Sequence, residues 1–324
     1  MLNIVWYGFD LDRLREPQDS TVTGIHSTIM YQDFFPEGTE CFYYSYCDFV
    51  PQGEGAVVFV HGSQANQKSY FLERLQKQID KLSWVVVVSV FDEGSSIQLD
   101  QLSHPNMKIW VQEPKPGVNP ACTVLPIGMA NHDKMRRVPI GYTRWVRHLS
   151  SKPEYKSLDW FFAGTEYGTS PEWTSAIRAL PGGHYFKVER RLEDNHIVDT
   201  MSPWWYMRSM ARAKVVPCRP GICTPETSRV YEALEAGCVP IVSKMPGGEG
   251  WRIRYNWEHY WEYVLGEKPP FPVIDGPDQL AGAVKEVLDN WEEQSRIVSS
   301  WWKDYKIRLV ATVRQEVSDL RRAL

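Results

Sequence analysis

The stretch from Met210 to Ser243 constrains this chain most, because its parts can be joined in only one common way. Lys214 to Cys218 is a short apolar run that ends in Arg219-Pro220-Gly221, a loop signal. Thr224 then stands where it can cap a helix whose first position is Pro225, a place where the missing N–H costs nothing. Val230, Ala233 and Leu234 give that helix an apolar side, and Gly237 is the residue type that usually ends a helix. Val239 to Ser243 is a second apolar strand. Strand, loop, helix and strand in this order make a parallel β-α-β unit. Such sheets bind ligands at the carboxyl ends of their strands, against helix N-termini that attract phosphate. Arg229 and Glu232 are three apart on the helix and share a face.

The same alternation runs through the rest of the chain. Leu2 to Tyr7 reads as a strand, Gly24-Ile25-His26 as a helix start, and Glu40 to Phe49 as an aromatic, mixed segment. Ala56 to Val60 is a buried strand leading into His61, and Ser69 to Leu82 has helical spacing. Trp84 to Phe91 is the strongest strand and ends at Asp92-Glu93; Met107 to Val111 and Cys122 to Pro126 follow as strands. Between Asn131 and Pro153 the character changes. Lys134, Arg136, Arg137, Arg144, Arg147, His148 and Lys152 make a basic connection with Tyr142 and Trp145 among them. A second α/β pattern then begins: strand Leu158 to Ala163, a loop from Gly164, helix Pro171 to Leu180 with Arg178, and strand Tyr185 to Val188. A short helix from Pro203 to Ala213 leads into the opening stretch. The glycine-rich residues 246–250 read as a flexible loop beside a site, and Tyr255 to Leu265 and Pro277 to Asn290 as helices. Trp291 to Leu324 is a long charged helix, or a pair, able to pack back across a hinge. The expected architecture is α/β, two Rossmann-like domains facing across a cleft, divided as 1–152 and 153–324.

Composition narrows the classes. The 324 residues suit two domains of ordinary size, and 43% hydrophobic with 23% charged residues is a soluble globular balance. A net charge of −4 argues against a protein that coats nucleic acid, though it leaves room for a local basic groove. The six cysteines lack the spacing of a disulfide framework, which points to a reduced, cytoplasmic protein. The strand-like start has no charged n-region or cleavage site, so no signal peptide is expected, and no run is long enough for a membrane span. The 14 tryptophans and 16 tyrosines are many. Most belong to cores, and a surplus of rings is also what a sugar- or base-binding cleft uses for stacking.

Pro217, Pro220-Gly221, Thr227-Ser228-Arg229, Glu232-Ala233, Ala236-Gly237-Cys238 and Val239-Pro240-Ile241 form one ordered pattern. It resembles the donor-binding core of glycosyltransferases of the GT-B fold, and among them the exostosin-like families. Phe161-Phe162-Ala163-Gly164, with Arg178 on the next helix, looks like the start of the same domain. The resemblance covers about 158–243. It implies a nucleotide-sugar co-substrate, a UDP-sugar such as UDP-glucose, held by Gly164, Arg178, Thr224, Thr227, Ser228, Arg229 and Glu232. Glu232 would take the ribose hydroxyls, and Arg229 with the helix start would take the diphosphate. No further cofactor and no metal is expected. Retaining members carry a Glu where Thr224 stands, so an inverting mechanism is expected, with a general base from residues 1–152. Asp92, Glu93 and His61, at strand ends, are the candidates for that base. His26, Arg144 and Trp145 are the candidates for binding the acceptor hydroxyl compound. Lack of an anchor suits a bacterial or phage enzyme, whose acceptor is a glycan, a lipid-linked precursor, or a hydroxymethylated base in DNA.

Other readings compete for the same residues. Arg229 and Glu232 fit an i, i+3 ion pair on a solvated helix, Asp92-Glu93 a turn or cap, and His61 and His26 structural histidines. The basic connection fits a solvated linker. Cys218, Cys223 and Cys238 fit core thiols rather than a metal site. Asp10-Leu11-Asp12 lies after the first strand, the wrong place for a metal-binding Asp-x-Asp. Gly62 to Ser69 approximates a phosphate loop with Lys68 as its lysine, which makes a nucleoside triphosphatase the alternative enzyme. Gln67 replaces the glycine that would let that backbone wrap a phosphate. A non-catalytic nucleotide- or glycan-binding module is the remaining class.

Overall fold

A computed structural model describes residues 3–7, 40–44, 55–61, 71–90, 99–117, 122–126, 153–164, 171–193, 196–199 and 201–323. The first sheet contains β1 (Asn3–Tyr7), β2 (Glu40–Tyr44), β3 (Ala56–His61), β4 (Val85–Val90), β5 (Met107–Val111) and β6 (Thr123–Val124). They lie in the order β2-β1-β3-β4-β5-β6, and every pairing is parallel. α1 (Phe71–Ile79) links β3 to β4. The β-branched runs Ala56 to Val60 and Val85 to Val88 are sealed from water on both faces, as parallel strands flanked by other layers must be.

Those faces go to different partners. Ala56, Val58, Val60, Val85 and Val87 pack with Phe71, Leu75 and Ile79 of α1. Val57, Phe59, Val86, Val88 and Trp110, pointing the other way, join one continuous core with the rest of the chain. Period-two alternation thus assigns Val57, Val58 and Val60 of β3 and Val85 to Val88 of β4 to one of two cores.

The second sheet is built from β7 (Leu158–Gly164), α2 (Pro171–Arg178) and β8 (His184–Lys187), followed by an antiparallel hairpin of β9 (Arg190–Glu193) and β10 (His196–Asp199). Then come α3 (Pro203–Ala211), β11 (Ala213–Cys218), α4 (Ser228–Glu235) and β12 (Val239–Ser243). α5 (Glu249–Arg252), α6 (Tyr260–Leu265), β13 (Val273–Ile274), α7 (Leu280–Asp289) and α8 (Trp291–Arg322) complete it. The sheet order is β13-β12-β11-β7-β8, again wholly parallel.

The β9–β10 hairpin falls where the residues carry no strand signal, and one expected boundary shifts. The helix expected over Tyr255 to Leu265 begins only at Tyr260, because Asn256 Oδ1 accepts the Glu258 N–H at 3.0 Å. That Asx-type turn offers the backbone a partner outside a helical ladder.

α8 is one unbroken helix of 32 residues and serves both sheets. Towards its middle, Trp302 Nε1 and Lys306 Nζ donate to the buried Glu235 of α4, at 3.1 and 2.5 Å. Further along, Glu316 accepts from Trp110 Nε1 of β5 at 2.6 Å and from Thr123 Oγ1 of β6 at 2.9 Å. Val313, Val317 and Leu320, on the same side of the helix, are buried around that junction. The long helix does pack back from the second sheet onto the first.

Candidate functional site

In the second sheet the chain leaves β7 towards β8 on one side and returns to β11 on the other. The strand order therefore reverses between β7 and β11, and their carboxyl ends, Gly164 and Cys218, border a topological switch point. Arg229, in the first turn of α4, bridges the two ends. Its Nη2 donates to the Ala163 carbonyl at 2.8 Å, and its guanidinium lies 4.5 Å from the Phe162 ring centre. A Cβ on Gly164 would sit 2.8 Å from that Nη2, so a larger residue here would have to push the guanidinium aside. Arg219, just past β11, lies 5.8 Å from the same ring and donates to Thr174 Oγ1 at 3.2 Å. Arg178 is more distant. It covers Tyr185, which stacks on Phe162, so two rings separate it from Arg229.

Glu232 turns inward from α4 and is 2% exposed, which excludes an ion pair on a solvated face. Its Oε2 accepts the Tyr206 hydroxyl of α3 at 2.6 Å. Burial, then the Glu232 charge, pushes the Tyr206 phenol well above its ordinary range. Burial works against the Arg229 charge, yet the affinity of the guanidinium for its proton is raised, with the Glu232 carboxylate among the groups that favour it. The buried Cys218 thiol is pushed up by desolvation and stays neutral. Three sealed polar atoms here have no hydrogen-bond partner: Thr227 Oγ1, Arg229 Nε and Glu232 Oε1.

The helix start differs from the sequence expectation. α4 begins at Ser228, with Thr227 in extended geometry as its N-cap, rather than at Pro225 behind Thr224. Thr224 is instead buried, with Oγ1 3.5 Å from the Glu226 carbonyl. The cause is Glu226, whose carboxylate turns into the interior and accepts the hydroxyls of Tyr231 and, at 3.2 Å, Tyr260. Burial and then Glu226 push the Tyr231, Tyr260 and Tyr305 phenols upward. Gly247 and Gly248 N–H donate to the Gly221 and Ile222 carbonyls at 2.7 and 2.9 Å. The glycine-rich segment expected to be loose is therefore fastened onto the loop between β11 and α4.

The far end of α4 fits the expectation. Gly237 has φ +62°, its N–H donates to Leu234 O at 3.1 Å, and the Cys238 N–H reaches Ala233 O at 2.9 Å. This is a Schellman closure, and only glycine takes that backbone without strain. Lys156 adds a donor to Ala236 O at 2.8 Å and lies 3.4 Å from Cys238 Sγ; desolvation lowers its pKa. A cation here also complements the negative end of the helix dipole.

Cys122, Cys218, Cys223 and Cys238 are free, and no metal-binding group of His, Cys, Asp and Glu occurs among the described residues. None of the described helices is long and apolar enough to cross a membrane. Asp92, Glu93, His26, Arg144, Trp145 and Lys68 lie outside the described residues, and His61 is placed only as the last residue of β3. The structure thus brings together Gly164, Thr227, Arg229 and Glu232, with Ser228 opening the helix and Thr224 folded beneath it. It adds Tyr206, Arg219, Glu226, Tyr231 and Tyr260, which sequence reasoning missed. Glu226 gave no signal, since a Glu between Pro225 and Thr227 reads as an ordinary solvated loop residue.

No protein-family model matches the chain, and no curated protein matches it. Among solved structures it is similar to HepE of Anabaena in complex with UDP and glucose, at a TM-score of 0.50 and 10% identity over 100% of both chains. HepE in complex with UDP aligns over the same extent at a TM-score of 0.44 and 11% identity. Identity this low speaks to the fold alone. Two parallel, doubly wound sheets, the switch point between β7 and β11, and the end-to-end alignment with the complex of HepE with UDP and glucose give one answer: the chain has the GT-B fold, with two Rossmann-like α/β units.

Proposed function

We propose that the protein is a glycosyltransferase that moves a sugar from a nucleotide donor, of the UDP-glucose class, to a hydroxyl acceptor. The observation that carries this is the set of sealed, unpartnered polar atoms on Thr227, Arg229 and Glu232 at the switch point. Buried polar groups are nearly always paired, so such a set calls for a ligand. Its chemistry matches a nucleoside diphosphate. Arg229 and the start of α4 offer a cation and N–H groups to the diphosphate, and Glu232 offers Oε1 to a ribose hydroxyl while Tyr206 holds Oε2. The exostosin-like order of Thr227-Ser228-Arg229 and Glu232-Ala233 assigns the same roles. The complex of HepE with UDP and glucose, a protein of similar fold, supports the donor class.

In this reading the donor half is 153–324 and the acceptor half 1–152. Thr224 is buried and carries no carboxylate, which favours inversion with a base from the acceptor half. Asp92, Glu93 and His61 are that base's candidates, and His26, Arg144 and Trp145 the acceptor contacts. The acceptor is a glycan or lipid-linked precursor, or a hydroxymethylated base in phage DNA, met in the cytoplasm. Arg178 supports the site through the Tyr185–Phe162 stack rather than by touching the donor.

The test is UDP binding by calorimetry, followed by UDP release from UDP-sugars with each acceptor class. Wild-type protein is expected to bind UDP, and Arg229→Ala to lose roughly 2–5 kcal/mol, thirtyfold or more in affinity. Equal binding by both proteins, or none by either, rejects the assignment. Salt-sensitive binding of duplex DNA, with transfer to hydroxymethylated DNA only, would select the DNA acceptor.

A further inference from the structure

The loop between β11 and α4 contains a carboxylate that the proposed chemistry does not use. Glu226 is 1% exposed and lies between two tyrosines that are themselves buried, Tyr231 at 0% and Tyr260 at 1%. Tyr231 comes from the second turn of α4, and Tyr260 opens α6, beyond the glycine-rich segment. Both hydroxyls donate to the Glu226 carboxylate, one to each oxygen. A buried carboxylate is costly, and a loop of this length could close with an apolar residue in that place. What the carboxylate supplies is direction. It pulls the loop inward one residue before Thr227, delays the helix to Ser228, and so sets where the first turn and Arg229 point.

The backbone around it is correspondingly tight. A Cβ on Gly221 would lie 2.9 Å from both the Thr224 and Glu226 carbonyls, and one on Gly248 would lie 2.8 Å from the Ile222 carbonyl. The clamp also reaches the first sheet. Trp251 of α5, which follows Gly248, lies under Lys115 Nζ at 5.3 Å, just past β5. Lys115 in turn donates to the Glu113 carbonyl at 3.3 Å, and Glu113 holds a left-handed backbone with φ 51°.

We infer that Glu226 is the positioning residue of the donor site, fixing the loop from Arg219 to Thr227 through Tyr231 and Tyr260 so that Thr227 and Arg229 meet the nucleotide preorganised. This rests on the reading of that loop as the donor site. Preorganised groups bind more tightly because the ordering cost falls at folding rather than at binding.

The experiment compares wild type, Glu226→Gln, Tyr260→Phe, the double variant and Arg229→Ala for melting temperature, UDP affinity, and KM for donor and acceptor. Tyr260→Phe keeps the ring and removes only the donor hydroxyl, so it serves where Glu226→Gln fails to fold. Expected are a loss of about tenfold in UDP affinity and a matching rise in donor KM for each single variant, with acceptor KM unchanged. The double variant should be no worse than the poorer single one, as for two ends of one contact. If the variants melt earlier but bind UDP like wild type, Glu226 is merely structural and the inference fails while the donor reading stands. If wild type itself binds no UDP, the donor reading fails and the inference with it.

Discussion

In the first sheet, β3 and β4 bury Ala56, Val57, Val58, Phe59 and Val60 against Val85, Val86, Val87 and Val88, with Ser89 the buried polar residue of that pair. In the second, the residues that follow β11, in the loop and in the helix α4, include buried Arg219, Thr224, Glu226 and Glu232. Both sheets are parallel and both reverse their order. The difference teaches where stability and chemistry were placed. Valine runs give the centre of the first sheet a cohesion that rests on apolar packing, with Ser89 as its polar exception. The second sheet carries the desolvation cost of several ionisable groups, offset in part by Tyr206, Tyr231 and Tyr260, which donate to Glu232 and Glu226.

Alkali should break this contrast most visibly. Tyr206, Tyr231, Tyr260 and Tyr305 all have phenols raised by burial. In the unfolded chain they titrate near 10, so their contribution is complete below that pH and is lost as pH rises above it. Each such tyrosine costs about 1.4 kcal/mol per pH unit in that window, so the group amounts to several. Phenolate absorbance should therefore rise together with unfolding; a smooth titration in the folded protein would contradict it. Glu316→Ala comes next. It leaves the Trp110 and Thr123 donors without their acceptor, at about 3 kcal/mol, and should weaken the first sheet while UDP affinity holds. Val88→Ala should cost about 2 kcal/mol in denaturant unfolding, again without changing UDP binding. A change in affinity there would show that the two regions are less separate than their contents suggest. Gly237→Ala, forced into the left-handed region, should cost about 1 kcal/mol in melting experiments.

The sequence displayed the strands well because their residues are β-branched and bounded by loop signals. Val239–Ser243 and Met107–Val111 match their expected bounds. Gly237 was legible for the same kind of reason, since a helix end that needs positive φ asks for one residue type. Arg229 and Glu232 were legible as a pair from spacing and pattern, but not the partner of Glu232, because Tyr206 comes from another helix. The start of α4 was misplaced because Thr224-Pro225 is a strong local cap signal, and the competing pull on Glu226 arises from Tyr260, far along the chain. Local chemistry could be read; tertiary partners that override it could not.

α8 has one more consequence, and it concerns time. The first sheet leaves the ribosome early, with Val57, Phe59, Val86, Val88 and Trp110 on a face whose cover includes a helix translated well after it. Until Glu316 and its apolar neighbours emerge, that face is a sticky, half-finished surface. A stop codon ahead of Val313 would strand it there, so that a loss in the late helix is felt as a defect of the first sheet.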